Sequence, residues 1–234
     1  MLDLLDHDLD PLERLHVFLV RRAHGSASAG SLARFYQRRV AVRCIDQMSR
    51  RILDVAGDDR VPAIDPRSSV IVVCNHSSPF DLSVAVSWLV TARRLRHRLL
   101  FPVRADFFYR TPLGLAVNAA TGMSMYPPLF NVPRRAAQNL AALEETIRAV
   151  HAQPTVLGLH PEGTQRSTGD PYELSPGQSG MGRVLYHARV PVIPVFLRGL
   201  DDDLVTQMLG GLTGTAPPVL AVFGEPVELD ELRR

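Results

Sequence analysis

The sequence predicts an α/β fold, in which helices flank both faces of a central mixed, largely parallel sheet and a helical segment forms the N-terminus. Short continuous apolar runs recur after residue 57, and such runs are typical of strands buried on both faces. Helical stretches separate these runs, which favours an α/β arrangement. The first 57 residues instead carry apolar residues at helical spacing. We expect an N-terminal unit at residues 1–57 and one catalytic domain at residues 58–234.

The N-terminal unit is predicted to contain two helices. Asp10 and Pro11 suit the N-cap and the first position of a helix, and the stretch HGSASAGS at 24–31 interrupts the helical pattern. A longer helix is predicted from 31 to 55, ended by Gly57. The apolar face of this second helix comprises Leu32, Phe35, Tyr36, Val40, Ile45, Met48 and Ile52.

Two interpretations of these amphipathic helices remain open. Arginines occupy much of the polar side of residues 31–55, so the helices could lie in an anionic membrane interface. Alternatively, their apolar faces pack on the catalytic domain, as most helices of this pattern do.

The catalytic domain is predicted to alternate strands and helices. The predicted helices cover residues 80–96, 133–151 and 180–189. The predicted strands are VIVVC at 70–74, LLFPV at 99–103, TVLGL at 155–159, VIPVFL at 192–197 and VLAVF at 219–223.

Composition excludes several classes of function. A net charge of +2 over 234 residues does not indicate nucleic-acid binding. All 26 basic residues are Arg, so Schiff-base and P-loop lysine chemistry are excluded. Cys44 and Cys74 are expected to be reduced.

The acidic N-terminus does not resemble a signal peptide, and no apolar run approaches the roughly 20 residues of a membrane span. We expect a cytoplasmic protein that is either soluble or bound peripherally at the inner face of the cell membrane through its first helices.

The first candidate motif is NHSSPFD at 75–81, which directly follows a predicted strand. Open α/β sheets bind ligands at the carboxyl ends of their strands, where His76 falls. A nearby Asp81 could orient the imidazole and stabilise it when it takes a proton. The chain has no G-x-S-x-G elbow, so a substrate hydroxyl would take the place of an enzyme nucleophile. A purely structural alternative makes Ser78 an N-cap, with Asp81 completing a capping box.

The second candidate motif is HPEGTQRSTG at 160–169, which also follows a predicted strand. Gly163 permits a turn, Thr164 offers a hydroxyl, and Arg166 suits a phosphate or carboxylate. A polar surface turn is the structural alternative. The spacing of His160 and Glu162 is shared with zinc deaminases, but the P-C-x-x-C of that site is absent, so we expect no metal.

Together the two motifs resemble the glycerolipid acyltransferase superfamily, which includes 1-acylglycerol-3-phosphate acyltransferases. Asn-His-x-x-x-x-Asp at 75–81 precedes Pro-Glu-Gly-Thr at 161–164 by about 80 residues. The blocks VPVIPVFLRG at 190–199 and VFGEPVEL at 222–229 are also similar to blocks of that family. The resemblance covers residues 65–230 and implies a glycerol-3-phosphate acyltransferase-like fold.

The resemblance also implies an activity and a set of site residues. The expected activity is transfer of an acyl group from acyl-CoA or acyl carrier protein to a hydroxyl of a lysophospholipid or related acceptor, without a bound cofactor. It implies that His76 is the general base and that Asp81 orients it. The implied substrate-binding residues are Asn75, Arg104, Glu162, Gly163, Thr164 and Arg166.

Several positions depart from the family pattern. His160 replaces an aromatic residue, Gln165 replaces an Arg, and Gln178 stands where a Lys is common. The block ending near Gly122 is not followed by the usual phosphate-binding Arg, and the next basic residues, which could take over that role, are Arg134 and Arg135. We therefore expect an acceptor other than lysophosphatidic acid, such as a glycolipid or secondary metabolite. The alternatives are an acyl-thioester or lipid hydrolase and a non-catalytic lipid-binding module.

Overall fold

A mixed β-sheet forms the centre of the protein in the computed structural model, which describes residues 5–165, 170, 172–200, 203–227 and 229. Within these residues the sheet has seven strands: β1 (Leu53–Ala56), β2 (Val70–Cys74), β3 (Arg98–Arg104), β4 (Met125–Leu129), β5 (Thr155–Leu159), β6 (Val192–Arg198) and β7 (Val219–Phe223). Their order across the sheet is β1-β7-β6-β2-β5-β3-β4. Neighbouring strands are parallel except at the β6–β7 pair, which confirms the mixed, largely parallel sheet.

Helices cover both faces of this sheet, as predicted. They are α1 (Pro11–Gly25), α2 (Ala27–Tyr36), α3 (Val42–Ser49), α4 (Asp81–Ala92), α5 (Ala105–Phe108), α6 (Pro112–Ala120), α7 (Ala136–Ala152), α8 (Ser179–Ala188) and α9 (Leu204–Thr213). A π-helical segment, Gln37–Ala41, joins α2 to α3. Side chains alternate along β2: Val70 and Val72 pack with α3 and α4, whereas Ile71 packs with α1, α7 and α8 on the other face.

Three of the five predicted strands have the predicted bounds, and β3 and β6 are slightly longer than predicted. Two strands were missed. β4 has the sequence MYPPL, and its two prolines are tolerated because it lies at the edge of the sheet.

The predicted helix over 31–55 is wrong beyond Ser49, because residues 53–56 form β1 and pair with β7. The predicted break at 24–31 is a single residue, Ser26, whose hydroxyl caps α2.

The N-terminal helices pack on the sheet through both apolar and polar side chains. Glu13, His16, Val17 and Val20 of α1 are buried. The side-chain amide of Gln37, which is also fully buried, donates to Leu99 O and accepts from Leu99 N. Gln37 thus hydrogen-bonds to the backbone of β3. The packing interpretation therefore holds for one face of these helices. Exposed apolar side chains nevertheless remain on them: Leu15, Phe18, Leu32, Phe35 and Val40.

None of the helices in the described part of the chain is long and apolar enough to cross a bilayer. The division of the chain at residue 57 stays a prediction.

Candidate active site

The carboxyl ends of β2, β5 and β3 meet at one edge of the sheet, because these neighbouring strands are parallel. His76 follows β2, His160 follows β5, and Arg104 ends β3. This edge brings together residues that are far apart in the sequence. It is also where open α/β sheets place their ligands.

The turn that carries His76 is fixed to the next strand by Asn75. The Asn75 amide donates to Leu197 O at 2.9 Å and accepts from Leu197 N at 2.7 Å. These two hydrogen bonds continue the pairing of β2 with β6 beyond the last strand residue. Asn75, which the resemblance implied to be a substrate-binding residue, thus uses its amide within the protein.

Asp81 points back into the turn that precedes α4. It is the first residue of α4. Ser78 Oγ accepts from Phe80 N at 3.3 Å and the Asp81 carboxylate accepts from Ser78 N, so the side chains of Ser78 and Asp81 also cap this turn, as the structural alternative expects. Asp81 Oδ2 accepts hydrogen bonds from the backbone N–H groups of Ser77 and Ser78, both at 2.7 Å. The carboxylate is fully buried, and the loop backbone sets its position.

His76 lies beside this carboxylate, and its side chain is partly exposed to solvent. Its Nδ1 is 3.8 Å from Asp81 Oδ2, and its side chain is 19% exposed. Nδ1 is buried and makes no hydrogen bond with any described residue. A movement of about 0.9 Å would bring the two atoms to hydrogen-bonding distance, and catalytic contacts commonly tighten when substrate binds.

The imidazole of His160 is stacked on that of His76. The ring centroids are 3.8 Å apart, and the planes differ by 9°. His160 Nδ1 lies 3.0 Å from both Cys74 O and Asn75 O. Carbonyl oxygens only accept hydrogen bonds, so Nδ1 carries the proton and Nε2 carries the lone pair. Burial, and then the charge of His76, lower the pKa of His160 to about 3, so this ring is neutral near pH 7.

Glu162 connects the second motif to the backbone of the first. Its side chain is buried, and Oε1 accepts from His76 N at 3.0 Å. Oε2 accepts from Ser175 N, also at 3.0 Å. In this structure both carboxylate oxygens hold loop backbone at the edge of the site.

The turn after Glu162 depends on glycine. Gly163 has φ +69°, and a Cβ there would come within 2.7 Å of Gln178 Cγ. Thr164 is exposed at the same turn, whereas Arg166 lies outside the described residues. The Gln165 side chain donates to Ser77 O at 3.1 Å, a second link between the two motifs.

Two arginines considered for phosphate binding are already paired with carboxylates. Arg104 Nη2 is 2.9 Å from Asp106 Oδ2 at the surface. Arg135, which follows Arg134, is buried, and its Nη1 contacts both carboxylate oxygens of Glu13 at 3.0 and 2.9 Å. Arg135 therefore attaches α1 to the segment before α7.

His76 activates neither the thiol of Cys74 nor the hydroxyl of Ser77. The Cys74 thiol is buried; burial, and then Asp81 and Glu162, raise its pKa well above the usual value. The Ser77 hydroxyl donates to Asp81 instead. Among the described residues, no hydroxyl or thiol hydrogen-bonds to the His76 ring, and no group of three or more His, Cys, Asp or Glu side chains forms a metal site.

An apolar pocket lies on the face of the sheet covered by α3 and α4. Its lining includes Val42, Ile45, Val86, Leu99, Phe101 and Met125. Ser83 also lines it, only two residues after Asp81. The sequence did not indicate this pocket, since its walls come from elements distant in the chain.

Comparisons with known proteins identify the family and the fold of the chain. The model of the acyltransferase family matches residues 52–198, which include both motifs. The crystal structure of PlsC, the 1-acyl-sn-glycerophosphate (LPA) acyltransferase from Thermotoga maritima, is 18% identical in sequence, with a TM-score of 0.52. The match covers 95% of this chain and 90% of that one, so the two share a fold. No curated protein sequence gives a significant match. With its family model matched over more than half of its length, the chain belongs to the acyltransferase family.

Proposed function

We propose that the protein is an O-acyltransferase that moves an acyl group from acyl-CoA or acyl carrier protein to a hydroxyl of a lipid acceptor. The observation that carries the proposal is the His76 ring beside the buried Asp81 carboxylate. The pair lies at the carboxyl edge of the sheet and inside the region that matches the family.

In the proposed reaction the acceptor hydroxyl gives its proton to His76 Nε2 as its oxygen attacks the thioester carbonyl. The tetrahedral intermediate then collapses, the C–S bond breaks, and the thiolate takes the proton from the imidazolium. The products are an ester and a free thiol. Asp81 stabilises the imidazolium between these two steps, and binding both substrates at one edge supplies much of the rate.

The acceptor is proposed to carry no phosphate monoester. Arg135 is buried against Glu13, and Arg104 is paired with Asp106, so both would have to break an ion pair to bind phosphate. A neutral hydroxyl lipid, such as a glycolipid, needs neither change.

The pocket between α3, α4 and β3 is proposed to hold the acyl chain. Its walls are mainly apolar, and its volume is about 20 Å³, so the walls must move apart to admit the chain. Burying the methylene groups of an acyl chain there is favourable by about 0.8 kcal/mol for each group.

The exposed side of α1 and α2 is proposed to contact an anionic membrane surface. Phe18 and Leu32 are 60% and 69% exposed. The exposed Arg22 lies on α1, and the exposed Arg39 lies in the π-helical segment that follows α2. Exposed apolar and cationic side chains together suit a bilayer interface with anionic head groups. This position would also give the site access to a lipid acceptor.

The test of the function is transfer from a labelled acyl thioester to a panel of hydroxyl acceptors, read by mass spectrometry. The panel includes lysophosphatidic acid, neutral glycolipids and water, whose acylation appears as free fatty acid. His76→Ala should abolish transfer, whereas His151→Ala, at an exposed position of α7, should not. Wild-type transfer rates in folded His76→Ala would refute the mechanism, and fatty-acid release with every acceptor would show a hydrolase.

A further inference from the structure

The ring stacked on His76 points to a second functional histidine. We propose that His160 is a positioning residue whose flat, neutral ring is the surface that holds the His76 imidazole in place for proton transfer. The centroid distance of 3.8 Å and the interplanar angle of 9° put the two rings in full face-to-face contact. The inference rests on the proposed function, in which His76 is the base.

Asp81 alone does not fix the orientation of His76. The distance from His76 Nδ1 to Asp81 Oδ2 is 3.8 Å, longer than a hydrogen bond. Asp81 Oδ2 already accepts from Ser77 N and Ser78 N, so the carboxylate cannot turn toward the ring without losing those bonds. The face of His160 therefore provides a restraint on the His76 ring that hydrogen bonds do not.

His160 is itself held firmly to the turn that carries His76. Its Nδ1–H is shared between the carbonyls of Cys74 and Asn75, at 3.0 Å each. The backbone pairing of β2 with β5 ends at Val73 and Leu159. The His160 side chain extends the contact between these two segments by one residue. Because one bifurcated hydrogen bond sets the plane of the ring, His160 and the turn move together.

The neutral state of His160 matters for the chemistry. The groups that face the His76 ring or its backbone are Asp81, Glu162 and His160. A positive charge on His160 would oppose the imidazolium that forms on His76 during the reaction. Burial prevents this, since it lowers the pKa of His160 to about 3. A neutral aromatic face beside a cation is instead favourable.

Three variants separate the ring from its hydrogen bond. His160→Phe keeps a flat ring without the Nδ1 donor, His160→Asn keeps a donor without the ring, and His160→Ala lacks both. We expect His160→Phe to keep kcat within about threefold of wild type, although it unfolds at a lower temperature. His160→Asn and His160→Ala should lose kcat by about 10- to 100-fold at unchanged KM, as expected for a misplaced base.

A second measurement does not depend on activity. In NMR spectra, the ring protons of His76 should show a ring-current shift that persists in His160→Phe and disappears in His160→Asn and His160→Ala. The ¹⁵N shifts of His160 should report a neutral ring protonated on Nδ1 from about pH 5 to pH 8.

Four results would overturn the inference. If His160→Asn is active and His160→Phe is not, the hydrogen bond matters and the ring does not. If all three variants lose activity equally, His160 itself takes part in proton transfer. If none loses activity, or if the His76 shift is the same in all variants, the ring contact has no role. Absence of acyl transfer in wild type would refute the proposed function alone, because the NMR comparison would still test the contact.

Discussion

Replacing Asp81 by Asn tests the electrostatic part of the proposed mechanism. Asn is nearly the same size and can keep an amide oxygen toward the backbone N–H groups of Ser77 and Ser78, so the turn should stay folded. What disappears is the negative charge 3.8 Å from His76 Nδ1. Two unit charges at that distance interact by about 4 kcal/mol at an effective dielectric constant of about 20.

That interaction stabilises the imidazolium formed in the transition state, so its loss corresponds to a fall in kcat of about 10³-fold. The assay is steady-state acyl transfer from a labelled thioester, with folding checked by thermal denaturation. Asp54→Asn, which removes an exposed carboxylate from β1, is the matched control and should leave kcat unchanged.

Asp81→Ala distinguishes charge from structure. It also removes the acceptor of the buried Ser78 N–H and of the partly buried Ser77 N–H. A buried unsatisfied group costs about 1–3 kcal/mol, so this variant should lose stability as well as activity. The reasoning is refuted if Asp81→Asn is as stable as wild type and its kcat lies within about twofold of the wild-type value.

Three further predictions concern the pocket, the membrane surface and the buried His16. Val86→Trp, which fills the pocket between α3 and α4, should shift the preferred donor to shorter acyl chains in a chain-length series. Phe18→Glu should reduce sedimentation with anionic liposomes, and wild-type binding should weaken as salt rises. Burial lowers the pKa of His16 to about 4, below the unfolded value of 6.5, so its contribution to stability is present above pH 6.5 and is lost as the pH falls toward 4. Between pH 7 and pH 5 the wild type should lose about 2 kcal/mol from this group, and His16→Gln should lose less.

Each of these predictions has a contradicting result, and the membrane prediction also has a matched control. Leu140→Glu places the same charge at an exposed apolar position of α7 and should not affect liposome binding; an equal loss would argue against a specific surface. Unchanged chain preference in Val86→Trp would exclude the pocket as the acyl site. Urea denaturation at pH 7 and pH 5 measures the third effect, and an identical pH dependence in His16→Gln would show that other groups cause it. Truncation is a poorer test of membrane binding, since α1 and α3 supply Val17, Val20 and Val42 to the core.

The sequence by itself determined the central strands and the family to which the chain belongs. Strands β2 and β5 are short apolar runs buried in the sheet, and such runs are recognisable locally because every side chain must be apolar or small. β7 is an equally apolar run, although Leu220 is exposed. The order and spacing of the motifs at 75–81 and 161–164 indicated the acyltransferase family, which the family match confirms.

Only the tertiary structure decided the parts that depend on partners distant in the chain. β1 was read as helix and β4 was missed, because what makes each a strand is pairing with β7 or β3. Arg135 resembled a candidate phosphate contact until its pairing with Glu13, 122 residues away, was known. The stacking of His160 on His76 likewise requires β5 to lie beside β2. A sequence states which groups are present, whereas their distances, and so their hydrogen bonds and charges, follow from the order of strands in the sheet.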